Sequence, residues 1–334
     1  MEGYSRRVLP RRRRYRYRHR RLAPLWLVVA AAFVVGAWTG VAHKTPPAAH
    51  ASAPPAALAR VAETLPSPKP AAPPPKPIVL IHGAPLLAGK LHVPIAAAAA
   101  ILVDADTGQV LWARHPHQRR EIASTTKIMT ALLALRNVGW HQLITVAPQV
   151  TRVPLVREGL RAGEQVQAWK LFYAMLLYSG NDDALQLALA AAGTQPAFVR
   201  EMNAEAAHLS MHDTHYASTS GVVDKDNYSS AWDVAAVTRE ALQNPVFRKI
   251  VRTPRIEVPW SAPTYSKIYV NNNLMLRLYP GATGVKTGYT HLSGWCLVTS
   301  ATRRGHTLIS VVLDSGDMYN DSKKLLDLGF ASLR

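Results

Sequence analysis

The chain has 334 residues, 48% of them hydrophobic and 18% charged, which suits one sizeable folded domain with additional segments. Its formal net charge of +18 raises the question of a nucleic-acid partner, but residues 1–21 alone hold ten arginines and a single acid. This concentration argues against a nucleic-acid-binding surface on the folded part. The one cysteine, Cys296, excludes an internal disulfide, and no clustered metal-ligand pattern is present, so we expect neither a metal nor a cofactor.

Residues 22–42 form a run without charges, LAPLWLVVAAAFVVGAWTGVA, which is long enough to cross a bilayer as a helix. We predict a single-pass transmembrane anchor. The basic tail, residues 1–21, would then be cytoplasmic, and the rest of the chain would lie outside the cell membrane. A cleaved signal peptide followed by secretion is the alternative, with Ala49-His50-Ala51 as its cleavage site.

Residues 43–95 contain thirteen of the 24 prolines together with many alanines. Such a composition buries too little apolar surface to fold, and its prolines favour an extended backbone. We predict a linker that lifts the following domain off the membrane. A disordered tail with no required length is the alternative.

The folded domain is predicted to span residues 96–334. Ala98–Trp112 indicates two strands joined by a turn at Asp106-Thr107-Gly108. Further elements are predicted in chain order: helices at 124–138, 171–192 and 231–242, strands at 295–301 and 307–313 with a hairpin turn at 302–305, and a helix at 321–328. Strands near both ends with helices between them indicate an α+β fold whose sheet joins the two ends.

The first motif that carries chemistry is Ser124-Thr125-Thr126-Lys127 at the start of a predicted helix. Residues three apart share a helix face, so Lys127 can reach the Ser124 hydroxyl. A serine needs a nearby base to become a nucleophile, and a lysine can serve when burial or a neighbouring cation lowers its pKa. Taken alone, the pattern is more typical of a helix-capping serine and a surface lysine than of a catalytic pair.

Two further motifs follow along the chain. In Ser179-Gly180-Asn181, a second hydroxyl could relay a proton and the amide could hold a substrate peptide, although a polar helix-terminating turn has the same composition. In Lys286-Thr287-Gly288, the lysine and the hydroxyl could bind a carboxylate on a strand edge. The glycine would let a substrate backbone approach closely, and a hairpin corner is the alternative.

Together and in this order, the three motifs are those of penicillin-recognising serine enzymes. The sequence resembles the D-alanyl-D-alanine carboxypeptidases, the low-molecular-weight penicillin-binding proteins of peptidase family S11. The resemblance runs from about residue 96 to residue 330, and it includes the segments VDADTGQVLW, IASTTKIMTALLAL, YSGNDDA, NYSSAWDVA and GVKTGYTHLSGWCLVTSATRRGHTLISVVL. It implies the β-lactamase and DD-peptidase-like fold, an antiparallel sheet packed with helices and carrying a helical subdomain.

The resemblance implies a role for each motif residue. Ser124 would attack the carbonyl between two D-alanines of a peptidoglycan stem peptide, and Lys127 would be its general base. Ser179 would pass a proton to the leaving group, and Asn181 would orient the substrate amide. The remaining substrate-binding residues would be Lys286, Thr287, Gly288 and Tyr289, with the backbone N–H groups of Ser124 and Tyr289 as the oxyanion hole. Penicillins would acylate Ser124 as substrate mimics.

Two departures from the family pattern bear on specificity. Ile122-Ala123 stands where members usually have Pro-Ala, which affects the helix entry. Met318 stands where many members have an arginine that helps to hold the substrate carboxylate. The second departure keeps a DD-endopeptidase open as the alternative to a carboxypeptidase. A β-lactamase and a non-catalytic penicillin receptor are more distant alternatives.

Overall fold

The computed structural model describes Leu80 and residues 85–87, 93–222, 226–260 and 266–333. The predicted tail and anchor, residues 1–42, lie outside the described residues, as does most of the predicted linker. Among the helices that are described, none has the length and apolarity needed to cross a membrane. The anchor, the linker and the domain boundaries therefore stay predictions.

Strands and helices alternate irregularly along the described chain. The strands are β1 (Ala99–Asp104), β2 (Val110–Arg114), β3 (Arg120–Glu121), β4 (Leu143–Thr145), β5 (Gln165–Gln167), β6 (Tyr228–Ser229), β7 (Arg255–Pro259), β8 (Ser266–Val270), β9 (Ala282–Thr290), β10 (Gly294–Arg303) and β11 (His306–Ser315). The helices are α1 (Lys127–Asn137), α2 (Ala168–Tyr173), α3 (Asn181–Ala192), α4 (Gln195–His208), α5 (Ala231–Ala241), α6 (Pro245–Val251), α7 (Met275–Leu278) and α8 (Met318–Ser332).

One antiparallel sheet of five strands organises the fold, in the order β2-β1-β11-β10-β9. The first strand pairs with the last, with Ala99 opposite Leu313 and Asp104 opposite Leu308, so the sheet joins the two ends of the domain as predicted. Strand β9 pairs with β10 and forms one edge of the sheet. The predicted α+β class is confirmed.

Each face of the sheet packs against its own layer of helices. Because successive side chains of a strand point to opposite faces, Ile101 and Val103 enter the larger core with helices α1 to α6, whereas Leu102 enters a smaller core with α7 and α8. Removing apolar surface from water stabilises the folded state by roughly 25 cal/mol per Å². These two packed layers are therefore the main source of the free energy of folding. The edge strand β9 therefore has a helical layer on each side.

One predicted helix is wrong in its extent. The sequence predicts a single helix over residues 171–192. In the structure α2 passes into a π-helical turn at Ala174–Tyr178, and the helix ends at Ser179, whose φ is +77°. The left-handed conformation ends the first helix, and α3 begins afresh at Asn181. The apolar periodicity continues across the break, so hydrophobic pattern alone indicated one helix.

The other predicted elements are confirmed, with different ends. Helix α5 matches residues 231–242, and the hairpin turn lies at Arg304-Gly305. Strands β10 and β11 and helix α8 all extend further than predicted. Helix α4 was missed, although Thr194 caps it by accepting a hydrogen bond from the Ala197 N–H at 3.2 Å.

Candidate active site

The predicted nucleophile lies in a tight turn before a long helix. Ser124 is the second residue of a 3-10 turn, Ala123–Thr126, that runs directly into α1. The preceding Ala123 has a φ of +45°, a left-handed conformation that an L-residue adopts only under constraint from its surroundings. Ser124 is 8% exposed, so its hydroxyl is reachable from a cavity but largely shielded from bulk water.

Lys127 joins the first two motifs. Its Nζ lies 2.8 Å from Ser124 Oγ and 2.7 Å from Asn181 Oδ1, and the side chain is fully buried. Burial lowers the pKa of Lys127 well below its ordinary value, and the nearby Lys286 cation lowers it further, against smaller opposing effects of Asp183 and Asp182. A lysine held in this way is available as a neutral amine that can accept a proton from Ser124.

Asn181 is held in one orientation by the loop that contains Pro154 and Val156. Its backbone N–H donates to Val156 O at 2.9 Å, and its Nδ2 donates to Pro154 O at 3.0 Å. The backbone hydrogen bond fixes the position of the residue, and the Nδ2 hydrogen bond fixes the orientation of the side-chain amide. Oδ1 therefore faces the Lys127 amine. The loop around Pro154 and Val156 was not predicted as part of the site, because its sequence carries no catalytic residue type.

Ser179 and Lys286 form a second hydroxyl–amine pair. Lys286 Nζ donates to Ser179 Oγ at 3.0 Å and to Thr287 O at 2.9 Å. Lys286 is 1% exposed, and burial lowers its pKa to about 7. This lysine therefore changes charge close to neutral pH, in contrast to a surface lysine.

Gly288 allows β9 to lie directly against the nucleophile turn. A Cβ at this position would sit 3.0 Å from Ile122 O and 3.1 Å from the Ser124 backbone nitrogen, closer than ordinary side-chain contacts. Glycine is thus favoured sterically, and the close neighbour is the nucleophile turn, whereas the close approach of a substrate backbone stays a prediction. The two neighbours of Gly288, Thr287 and Tyr289, point to the opposite face of the strand.

An open cavity of about 440 Å³ lies where these elements meet. Its wall contains five of the eight predicted site residues: Ser124, Ser179, Thr287, Gly288 and Tyr289. The other three, Lys127, Asn181 and Lys286, lie buried behind it and contact the wall residues. The rest of the wall is formed by Val156, Val270, Asn271, Asn272, Leu274, Trp295, Met318 and Tyr319.

A cluster of buried acids next to the site was not predicted. Asp182 accepts backbone hydrogen bonds from Glu158 at 2.8 Å, Gly159 at 2.8 Å and Leu160 at 3.2 Å, which fixes the loop that holds Asn181. Asp183 is fully buried, and its pKa is raised by burial and by the Asp182 and Glu158 carboxyls. The segment NDDA carries the sequence signal for this cluster, because it places two acids in the first turn of α3.

The described residues contain no group of three or more histidine, cysteine, aspartate or glutamate side chains placed to hold a metal ion. Cys296 is fully buried within β10, and burial raises its pKa to about 11. Its thiol therefore keeps its proton at neutral pH, as expected of a small core residue.

Known proteins resemble this chain over the same region. The family model described as D-alanyl-D-alanine carboxypeptidase matches residues 88–317. A D-alanyl-D-alanine carboxypeptidase of Streptomyces sp. (strain K15) is 32% identical over 260 residues, covering 71% of this chain and 88% of that protein. The D-alanyl-D-alanine carboxypeptidase DacB2 of Mycobacterium tuberculosis is 34% identical over 253 residues, covering 73% of this chain and 86% of that protein.

Among solved structures, the crystal structure of the Streptomyces K15 DD-transpeptidase is similar with a TM-score of 0.69. The two sequences are 31% identical, and the match covers 72% of this chain and 99% of that one. The similarity therefore includes nearly the whole of that protein.

Proposed function

This chain belongs to the D-alanyl-D-alanine carboxypeptidase family of serine peptidases, and we propose that it removes the terminal D-alanine of peptidoglycan stem peptides through an acyl-enzyme on Ser124. One observation carries the proposal: the buried amine of Lys127, with its lowered pKa, lies 2.8 Å from a serine hydroxyl that faces the cavity. This is the arrangement that converts a serine into a nucleophile.

In the acylation step, Ser124 Oγ attacks the carbonyl carbon between the two D-alanines while Lys127 Nζ takes the hydroxyl proton. The backbone N–H groups of Ser124 and Tyr289 receive the negative charge that develops on the carbonyl oxygen. A single such donor contributes roughly 3 kcal/mol to lowering the barrier. The close packing of β9 against the nucleophile turn supports this assignment, because a Cβ added to Gly288 would lie 3.1 Å from the Ser124 nitrogen, so the backbone before Tyr289 runs beside that N–H group.

The leaving D-alanine departs as an amine and needs a proton on its nitrogen. Ser179 passes to it the proton that Lys127 took from Ser124, which leaves Lys127 neutral again, while Lys286 donates a hydrogen bond to the Ser179 hydroxyl at 3.0 Å and keeps its charge. Thr287 and the protonated Lys286 bind the terminal carboxylate, and Asn181 orients the substrate amide. Water then attacks the ester on Ser124, with Lys127 again as the base, and releases the shortened peptide.

Penicillins would react at the same serine. Their strained amide carbonyl takes the place of the scissile carbonyl, and the ring nitrogen stays attached to the acyl group after the bond breaks. Because the leaving group does not diffuse away, it hinders the entry of water, and the ester on Ser124 persists. This makes a penicillin a stoichiometric probe of the nucleophile.

The test is release of D-alanine from diacetyl-L-Lys-D-Ala-D-Ala by the full-length chain purified in detergent. We expect turnover by the natural protein, and a loss of at least 10⁴-fold in kcat in Ser124→Ala. Ser322→Ala, a change of another buried serine outside the cavity, is the matched control and should keep turnover within about threefold. Release that survives Ser124→Ala would refute the proposal.

A DD-endopeptidase remains the second candidate, and Met318 is the observation that favours it. This side chain lies in the cavity wall where many family members have a carboxylate-binding arginine. An endopeptidase cuts a cross-link and needs no free terminal carboxylate. Comparing D-alanine release with cleavage of a cross-linked peptide dimer under the same conditions separates the two activities.

The location of the enzyme is also a proposal. We infer from the apolar run at residues 22–42 that the chain is anchored in the cell membrane with the peptidase domain outside, where peptidoglycan lies. Fractionation of cells that express the full chain should recover it in the membrane. Recovery in the medium, with a new N-terminus near residue 52, would favour secretion after signal cleavage instead.

A further inference from the structure

One side of the cavity is built from the face of β9 that carries Thr287 and Tyr289. These two residues share a face because side chains of a strand alternate. Trp295 is the cross-strand partner of Tyr289 and lies on the same face. Helix α8 packs on this side of the sheet and contributes Met318, which is 7% exposed. Under the proposed function Thr287 binds the terminal carboxylate, so this face borders the leaving residue.

Most side chains on this part of the wall are apolar or aromatic, and the polar Asn271 and Asn272 also line the cavity. In addition to Tyr289, Trp295 and Met318, this part of the wall includes Leu274 and Tyr319. The rings of Tyr289 and Trp295 lie 4.3 Å apart between centroids, and the two side chains are 45% and 47% exposed. Exposed aromatic pairs of this kind offer a large apolar surface with little entropy to lose on binding.

No charged side chain contributes to the cavity wall among the described residues. Lys286 lies behind Ser179, and its amine contacts the Ser179 hydroxyl, which lines the cavity. A D-alanine side chain is a single methyl group, and it would leave most of the aromatic and thioether surface in contact with water. The cavity, at about 440 Å³, has room for a larger side chain.

We propose that this face forms an apolar leaving-group subsite, which prefers a terminal D-residue with a large aliphatic side chain, such as D-leucine, to D-alanine. The proposal rests on the function proposed above, because it assumes that Ser124 is acylated by the penultimate D-alanine. The residues that determine the preference are Met318, Trp295 and Tyr289. Met318 is the central one, because a longer charged side chain at its position would divide the apolar wall.

The expected size of the effect follows from side-chain burial. D-leucine carries three more carbon atoms than D-alanine, and one methylene in an apolar pocket changes kcat/KM by about tenfold or more. An open cavity buries the side chain only partly, so we expect a preference of about tenfold for D-leucine. D-asparagine has nearly the shape of D-leucine but a polar amide, and it should be used no better than D-alanine.

The experiment measures kcat/KM of the full-length chain for three peptides, diacetyl-L-Lys-D-Ala followed by D-Ala, D-Leu or D-Asn. In Met318→Arg the D-Leu to D-Ala ratio should fall at least tenfold. The matched control is Leu278→Arg, which adds the same charge at an exposed residue of α7 outside the cavity wall and should leave the ratio unchanged.

The outcomes are distinguishable. If the natural protein uses D-Leu less well than D-Ala, or D-Asn as well as D-Leu, the subsite proposal is wrong even when Met318→Arg does not fold. A ratio that stays constant in a folded Met318→Arg protein also overturns it. Failure of the proposed function has a different signature: no residue is released from any of the three peptides, or release is independent of Ser124.

Discussion

Two buried charge clusters flank the start of α3, and they differ in how their polar atoms are satisfied. On one side, Lys127 contacts Ser124 and Asn181, and Lys286 contacts Ser179, all within 3.0 Å. On the other side, neither carboxyl oxygen of Asp183 has a hydrogen-bond partner among the described residues.

Burial acts on both clusters in the same direction, towards the neutral form. It lowers the pKa of Lys127 and of Lys286, and it raises the pKa of Asp183 and of Glu158. The consequences differ because the neutral Lys127 amine is a base that contacts the Ser124 hydroxyl, whereas the neutral Asp183 carboxyl has no hydrogen-bond partner among the described residues to which it could pass its proton. The lysine cluster thereby gains reactivity, and the acid cluster avoids an unpaired buried charge behind the site.

Among substitutions of the ionisable residues in the two clusters, the largest effect is expected from removing the base in the lysine cluster. Lys127→Met keeps the length of the side chain but has no amine, so acylation should slow by about 10³-fold, within the range usual for general bases. Lys170→Met is the matched control, since Lys170 is also a largely buried lysine with a lowered pKa but contacts Pro259 outside the cavity. Stopped-flow acylation by a chromogenic β-lactam checks this, and equal rates in the two variants would contradict it.

The second effect concerns Lys286 and the substrate carboxylate. Because its pKa is about 7, the amine loses its positive charge above neutral pH, and kcat/KM for D-Ala-D-Ala should fall about fivefold between pH 7 and pH 8. Lys286→Arg keeps the charge and should move this decline above pH 10. The same peptide with an amidated terminus has no carboxylate and should not show the decline in the natural protein. A decline shared by both peptides would assign it to another group.

The smallest effect is expected in the acid cluster, on stability. Asp183 has a higher pKa in the folded protein than in the unfolded chain. Between these two pKa values the folded state binds a proton that the unfolded chain has lost, so the free energy of unfolding falls as the pH rises from the lower value to the higher one. Asp183→Asn has no titrating group there. Its Tm should therefore exceed that of the natural protein at pH 7 by about 2–4 °C, the change that about 1 kcal/mol makes in a domain of this size.

That advantage should shrink at pH 4, near the ordinary pKa of an aspartate, because Asp183 is then protonated in the folded state and partly protonated in the unfolded chain. The exposed carboxyl of Asp226 offers the matched control, because Asp226→Asn should not change the pH dependence of the Tm. Parallel Tm curves for Asp183→Asn and the natural protein from pH 4 to pH 7 would show that Asp183 is ionised when folded.

The lysine cluster could be predicted from sequence because its residues lie in short motifs with fixed spacing. Ser124 and Lys127 are three residues apart, and Lys286 and Gly288 lie on one strand, so local geometry places each pair. All eight predicted site residues meet at one cavity or directly behind it. The sheet was predictable for a similar reason, since its strands have strong apolar patterns at both ends of the domain.

The acid cluster could not be predicted in the same way, because its members are distant in sequence and share no pattern. Glu158 comes from a loop and contacts Lys267 and Tyr269 of β8 more than 100 residues later. The helix break at Ser179 was predicted only as an alternative reading of Ser179-Gly180-Asn181, since a positive φ at a serine is imposed by tertiary packing. Short-range reasoning thus found the reactive groups and missed the groups that support them.

The central claim is that Ser124 is the residue that becomes acylated, and mass spectrometry of the protein after reaction with penicillin tests it most directly. We expect the intact chain to gain the mass of one penicillin, and the peptide that contains Ser124 to carry it after proteolysis. An adduct on any other residue, or no adduct on a protein that still releases D-alanine, would contradict the account.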